Sequence, residues 1–371
     1  MDNFRLILKQ HLKNILQRTV LPLRYDFAKK KKIDERLVIL ADSNCDETPE
    51  SMELVKAELE ERGYEVKEMY LDFSKHGAGA VMKYMMSFMK SYANAKAVFI
   101  CNYFVPCTAC RKREETSVVQ LWHSCGGLKK FGYDTPDDIN SHYKGNVTKN
   151  FDLITVSSAE CIGFFNSAFR LTKSIVKPLG VSRTDIFFDK DFKDECKEEF
   201  FGEYPEYKGK KIVLYAPTFR GNASDPYVVG QSDVLRLKEK LGEDWALIVK
   251  LHPRLDDGGM NCDFETNRLL PVADVLISDY SSVVFEYALL RKPLVLFVPD
   301  LAEYSEKRSF YLDYEEEMPG TIVTDGGRLC EAVKDSYENF DSSVYEDFIE
   351  KYMSACDGNS TERIVDFALR D

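Results

Sequence analysis

The sequence predicts an α/β protein made of two doubly wound, mostly parallel halves. Three observations carry that expectation. Short apolar runs alternate with helical stretches over most of the chain, the alternation breaks and restarts near residue 180, and 371 residues exceed the usual size of one domain. Two Rossmann-like domains facing across a cleft satisfy all three, and ligands of such sheets bind beyond the carboxyl ends of the strands.

In the first half, Arg36–Ala41 (RLVILA), Ala97–Cys101 (AVFIC), Val118–Trp122 (VVQLW) and Asp152–Val156 (DLITV) read as buried strands, and Tyr64–Phe73 alternates as a strand does. Helical periodicity covers Glu50–Gly63, Ala80–Ala95 and Ala159–Phe169. Lys177–Phe188 is a connector rich in turn residues, and Asp189–Tyr207 is charge-dense. The second half restarts with Lys211–Tyr215 (KIVLY), a helix over Val234–Leu241 and the strand Ala246–Leu251 (ALIVKL). Ala273–Ser278 (ADVLIS), a helix over Ser282–Leu290, Pro293–Val298 (PLVLFV) and Thr321–Val323 follow. Helices over Arg328–Tyr337 and Val344–Leu369, the latter broken near Asp357-Gly358, close the chain. These signals divide it into a basic segment 1–32, a first domain 33–180, a second domain 181–345, and terminal helices 346–371 placed to pack back on the first domain.

An apolar share of 44% and a charged share of 30% are those of a globular protein. The net charge of −12 argues against nucleic acid as a partner, since phosphate neutralisation needs a broad basic surface. Residues 1–32 are the exception: nine Lys/Arg, including the run Lys29–Lys32, stand against Asp2 and Asp26. Phe4, Leu8, Leu12 and Ile15 keep helical spacing, and Pro22 ends the pattern. Such a segment either lies on an anionic membrane surface or packs on its own domain with its charges in water. No apolar run approaches the roughly 20 residues that cross a bilayer, and no signal peptide is evident. Ten cysteines without a disulfide framework suit reduced thiols in a cytosol.

Five segments place chemistry-bearing residues just after strands. The block Leu121–Gly132 (LWHSCGGLKKFG) sets a proton acceptor, His123, beside Gly126, Gly127, Lys129 and Lys130, a loop whose backbone can approach an anion. Tyr215–Arg220 (YAPTFR) ends a strand with Thr218 and Arg220; Lys250–Arg254 (KLHPR) does so with His252 and Arg254. Ser278-Asp279-Tyr280-Ser281-Ser282 leads into a helix, whose N-terminus with two hydroxyls suits a phosphate. Lys307-Arg308-Ser309-Phe310 adds a basic pair after the last strong strand. Singly each has a bland counterpart: a structural His, or a plain N-cap at Ser281-Ser282. Their order within one α/β duplex is more specific.

This set resembles the CDP-glycerol glycerophosphotransferase family of teichoic-acid and capsule polymerases and primases. The blocks WHSCGGLKKFG, YAPTFR, KLHPR, ADVLISDYSSVVFEYALLRKPLVLFVPD, KRSFYLDYEEEMPG and DGNSTER stand in that family's order over roughly residues 95–370. One block departs: Ser124-Cys125-Gly126-Gly127 stands where the family usually has Gly-Thr-Pro after the His. The resemblance implies a two-Rossmann (GT-B) fold and transfer of glycerol phosphate or ribitol phosphate from a CDP-alditol, with CMP released. It implies an acceptor hydroxyl on a lipid-linked saccharide or polyol phosphate, worked on by a protein peripheral to the inner face of the cell membrane.

His123 is then the expected base, an imidazole being suited to that task at cytosolic pH. His252, Arg254, Ser281, Ser282 and Arg308, with Thr218 and Arg220, are expected on the donor phosphates, and Asp279 and Glu286 at the nucleotide. Glu286, an acid inside the apolar run VVFEYALL, needs a partner, which is either a ribose hydroxyl or an ion pair within the domain. No carboxylate cluster reads as a magnesium site, and no cofactor is expected; fixed cations and the helix dipole take the metal's place. Cys101, Cys107 and Cys110 lack the second pair that a zinc site would want. Two other functions fit the same fold: a nucleotide-sugar glycosyltransferase or epimerase, and a silent scaffold paralogue.

Overall fold

A computed structural model describes residues 15–136, 138–139, 145–222, 225–251, 261–307 and 309–370. Residues 1–14 of the expected N-terminal helix, His252, Arg254 and Arg308 lie outside them. The chain forms two compact units: 1–123, 139–185 and 355–371 in the first, 124–138 and 186–354 in the second.

The first unit is built on six parallel strands: β1 (Asp34–Asp42), β2 (Glu65–Tyr70), β3 (Ala95–Ile100), β4 (Ser117–Gln120), β5 (Leu153–Thr155) and β6 (Val176–Lys177). Their order is β2-β1-β3-β4-β5-β6, so the winding reverses between β1 and β3. The strands are apolar because helices cover them: Val38, Leu40, Phe99, Val119 and Leu153 pack with Met52, Val55 and Leu59 of helix Glu50–Glu61. Ile364, Val365 and Ala368 of the terminal helix Ser360–Ala368 complete that core. The Asp185 carboxylate accepts from the N–H groups of Ser360 and Thr361 at 3.1 and 2.7 Å and so holds that helix's start.

The second unit has five parallel strands and a hairpin. They are β7 (Lys211–Tyr215), the antiparallel pair β8 (Arg220–Asn222) and β9 (Asp225–Tyr227), then β10 (Trp245–Val249), β11 (Val275–Ser278), β12 (Leu294–Phe297) and β13 (Thr321–Val323). The main sheet runs β10-β7-β11-β12-β13 and reverses between β7 and β11. Val213, Ile277, Val295 and Val323 pack with Val234, Leu237 and Leu241 of helix Gln231–Leu241 and with Leu329 and Val333 of helix Leu329–Glu338.

Three elements differ from the sequence reading. Pro22 does not end the N-terminal helix: it sits near the start of helix Leu21–Ala28, directly after a π-type stretch Leu16–Val20. The wider π turn relaxes the clash that a proline ring makes with the preceding turn. The charge-dense segment Asp189–Tyr207 contains helix Lys190–Glu203, whose Cys196 and Phe200 form a buried stripe only one side chain wide. Ser124–Asp138, expected in the first domain, belongs to the second unit, where the Lys130 N–H donates to Ser309 O at 3.0 Å and the Tyr311 N–H to Leu128 O at 3.0 Å.

Candidate active site

In each sheet the polar residues gather at the winding reversal, where strand ends diverge and leave room for a ligand. In the first unit, Asp42 ends β1, Cys101 and Asn102 follow β3, and His123 follows β4. His123 is exposed and stacks on Trp122 with ring centroids 4.5 Å apart, while Trp122 is buried. The His123 Nδ1 lies 3.2 Å from the Cys101 carbonyl oxygen. A carbonyl only accepts, so that bond puts the proton on Nδ1 and leaves Nε2 the basic nitrogen of a neutral ring.

Behind the ring runs a buried polar network that the sequence reading did not single out. The Asp42 carboxylate, 1% exposed, accepts from Asn102 Nδ2 at 2.8 Å and from Cys101 Sγ at 3.2 Å. Burial pushes the Cys101 thiol well up, and the neighbouring Asp42 charge adds to it, so it is a neutral donor. Gln120, fully buried, bonds both Asn102 and Trp122. An amide inside VVQLW and an acid ending RLVILAD were the available signals, since buried polar groups demand partners.

In the second unit, the residues after β7 and β11 lock together. The Thr218 N–H donates to Asp279 Oδ1 at 2.8 Å, and Ser278 Oγ donates to Ala216 O at 2.7 Å. Ser281 and Ser282 are half-buried ahead of helix Val283–Leu289, and Ser281 Oγ accepts weakly from the Val283 N–H at 3.4 Å.

Arg220 and Asp279, expected on donor phosphate and nucleotide, are both buried and pair with each other. Arg220 is 9% exposed; its Nε and Nη2 donate to Asp300 at 2.8 and 3.2 Å, and its Nη1 donates to Thr218 O at 2.7 Å and pairs with Asp279 Oδ2 at 3.0 Å. The guanidinium also lies 4.8 and 4.7 Å from the Tyr280 and Tyr304 ring centres, which stack 3.8 Å apart. Burial pushes the Asp279 carboxyl up against the pull of Arg220 and Thr218. Burial acts upward on Asp300 too, but Arg220 and the Tyr280 hydroxyl hold it below its ordinary range. Arg220 therefore reads as a clamp that fixes Thr218 and Asp279.

The segment Ser124–Asp138 docks on the same unit. Cys125 Sγ donates to Glu286 Oε1 at 3.5 Å, and Gly126 lies against Phe285. Glu286 is 2% exposed, and this thiol contact comes from the residue at which the block departs from the usual Gly-Thr-Pro form. Gly127 is buried, and Lys129 and Lys130 are half-buried on a short antiparallel stretch, with Lys129 bridged to Phe310. The glycine loop, its two lysines and the Ser309-Phe310 segment are thus one structure. Gly126 has φ +63°, and a Cβ there would fall 2.2 Å from Phe285 Cε1. Gly126→Ala is expected to cost about 1–3 kcal/mol, read as a lowered thermal unfolding midpoint. An unchanged midpoint would mean the turn has another way to pack.

Among the described residues no group of three or more His, Cys, Asp or Glu side chains is arranged to hold a metal ion, and all ten cysteines are free thiols. Just ahead of His252, the Leu251 N–H donates to Asn261 Oδ1 at 2.7 Å.

Two doubly wound halves, each with its polar residues past the carboxyl ends of the strands, define a two-Rossmann protein of the kind that handles nucleotide-linked ligands. Residues 23–370 match the family described as CDP-Glycerol:Poly(glycerophosphate) glycerophosphotransferase, and the chain belongs to that family of phosphotransferases. A teichoic acid ribitol-phosphate primase of Bacillus spizizenii is 35% identical over 310 residues, 78% of this chain and 79% of the primase. A teichoic acid poly(ribitol-phosphate) polymerase of the same species is 34% identical over 89% of this chain, which spans only 55% of that polymerase. The teichoic acid glycerol-phosphate primase of Bacillus subtilis is 31% identical over 74% of this chain and 73% of its own length. In fold, the chain is similar to the wall teichoic acid polymerase TagF, with a TM-score of 0.76 at 21% identity over 99% of this chain and 97% of that one. A UDP-N-acetylglucosamine 2-epimerase is more distant, at 0.58 and 11% identity over 91% of this chain and 95% of that one.

Proposed function

We propose that this chain moves glycerol phosphate or ribitol phosphate from a CDP-alditol to a hydroxyl of a lipid-linked saccharide or polyol phosphate, releasing CMP. The acceptor oxygen bonds to the alditol-bearing phosphorus, the bond from that phosphorus to the CMP phosphate oxygen breaks, and the hydroxyl proton passes to His123 Nε2. The observation that carries this reading is the bond from His123 Nδ1 to the Cys101 carbonyl, which makes Nε2 the base. Charge gathering on the departing CMP is met by the Ser281 and Ser282 hydroxyls, the helix start after them, Lys129 and Lys130. His252, Arg254 and Arg308, which lie outside the described residues, complete the donor set by their positions in the family's blocks.

The purified protein, given CDP-glycerol or CDP-ribitol and a synthetic lipid-linked disaccharide, should release CMP and lengthen the acceptor. UDP released from a UDP-sugar would turn the assignment to a glycosyltransferase or epimerase; donor binding without turnover would turn it to a scaffold.

The proposed place of work is the inner face of the cell membrane. Val20, Leu23 and Phe27 share one face of the first helical segment and are 37%, 64% and 66% exposed, while Leu21 and Tyr25 are buried on the other. Lys29–Lys32 follow, with Lys30 Nζ 5.0 Å from the Phe27 ring centre. Apolar anchors beside a basic run suit an anionic lipid surface. Among the described residues no helix is long and apolar enough to cross a membrane. The double variant Leu23→Asp, Phe27→Asp should bind vesicles containing anionic lipid at least about 100-fold more weakly in a flotation assay, since burying each of the two side chains contributes of the order of 1.5–3 kcal/mol. Equal flotation would remove this helix as the anchor.

A further inference from the structure

We infer that Gln120 is a positioning residue for His123, setting both the backbone that carries the ring and the carbonyl that selects its tautomer. The inference deepens the proposed role of His123 as base and rests on that reading only for its kinetic consequence. Gln120 is the last residue of β4 and is fully buried. Its Nε2 donates to Asn102 O at 3.0 Å, and its Oε1 accepts from the Trp122 N–H at 2.9 Å. A carbonyl only accepts and a backbone N–H only donates, so this amide has one possible orientation.

Those two partners matter because of where they lead. Trp122 has φ +61°, a left-handed conformation that a bulky residue adopts only when its surroundings impose it. The bond from its N–H to Gln120 is one such constraint, and His123 is the next residue. Asn102 directly follows Cys101, whose carbonyl meets His123 Nδ1 at 3.2 Å. Asn102 is fixed from the other side as well, by Nδ2 donating to Asp42 at 2.8 Å. One side chain thus ties the loop after β3, which supplies the acceptor, to the loop after β4, which supplies the ring. If that tie is removed, Trp122 can relax, the Cys101 carbonyl and the ring can part, and Nδ1–H loses its reason to be the protonated form.

The test has two readouts. Nitrogen NMR of the full-length protein, with the His123 signal assigned by its loss in His123→Asn, is expected to show Nδ1 protonated and Nε2 bare. In Gln120→Met the ring should move toward a mixture of tautomers. Gln120→Glu, which keeps the shape and the acceptor but loses the donor, serves if the Met variant does not fold. In parallel, kcat for CMP release from CDP-glycerol should fall about 10²-fold, the scale of a misplaced reacting group, while KM for the donor holds. A wild-type ring protonated on Nε2, or a folded variant with an unchanged ring, overturns the inference. Should the tautomer shift while turnover stays, or should His123→Asn keep turnover, the role of His123 as base fails and the positioning by Gln120 stands.

Discussion

Replacing His123 by Ala is expected to lower kcat for alditol-phosphate transfer by about 10²–10⁴-fold, the range for loss of a general base. The affinity for the CDP-alditol should stay at its wild-type value, because every residue assigned to the donor belongs to the second unit or its docked loop. Overall folding should also survive, since the ring is exposed and the Cys101 carbonyl it meets can be served by water. Rates of CMP release beside calorimetric titration with CDP-glycerol check both halves of the statement. A kcat within about threefold of wild type would remove His123 from the chemistry.

Arg220→Ala is expected to have the largest effect on stability. It leaves Asp279 and Asp300, 4% exposed and 14% exposed at the side chain, without their shared cation. Breaking a buried pair by removing one partner costs about 3–5 kcal/mol, more than removing both, because the remaining charge stays unsolvated. Here two carboxylates are stranded, and the Tyr280–Tyr304 stack loses the guanidinium beside it. The thermal unfolding midpoint should drop on the order of 10 °C. Arg220→Lys should recover only part of that loss: one ammonium cannot serve Asp300 through two donors while also serving Thr218 and Asp279. Arg220→Ala, Asp300→Asn should be less damaging than Arg220→Ala alone. If Arg220→Ala unfolds at the wild-type temperature, the guanidinium is not the clamp described here.

The central strands were legible because they are runs of Val, Ile and Leu buried on both faces, as in β7, which coincides with Lys211–Tyr215; the expected Thr321–Val323 coincides with β13, which is only partly buried. Elements with weak local signals were not. β6 is two residues, Val176-Lys177, inside a segment of turn residues. Helix Thr266–Val272 carries Pro271 within it, which masks its periodicity. The β8–β9 hairpin is held by Arg220 reaching Asp300, eighty positions away, and no local pattern announces such a pair. The candidate site divides along the same line. Residue types at strand ends, His123 and the Asp279–Ser282 block, could be read from position alone. What each one bonds could not: Arg220 stood out for following a strand end and Glu286 as an acid in an apolar run, and neither signal pointed to the Asp300 and Cys125 contacts that the fold gives them. Gln120 was visible as an amide in VVQLW, but its purpose depends on Asn102 from the neighbouring strand end.

The most direct measurement is product analysis under single turnover: enzyme in excess over CDP-ribitol or CDP-glycerol, a lipid-linked acceptor, and mass spectrometry of both products for wild type and His123→Ala. The account predicts one CMP released per alditol phosphate gained by the acceptor in the wild type, and in the variant donor bound as before with both products formed about 10²–10⁴-fold more slowly. Acceptor lengthened at the wild-type rate by His123→Ala, or CMP released by the wild type with no gain in acceptor mass, would contradict it.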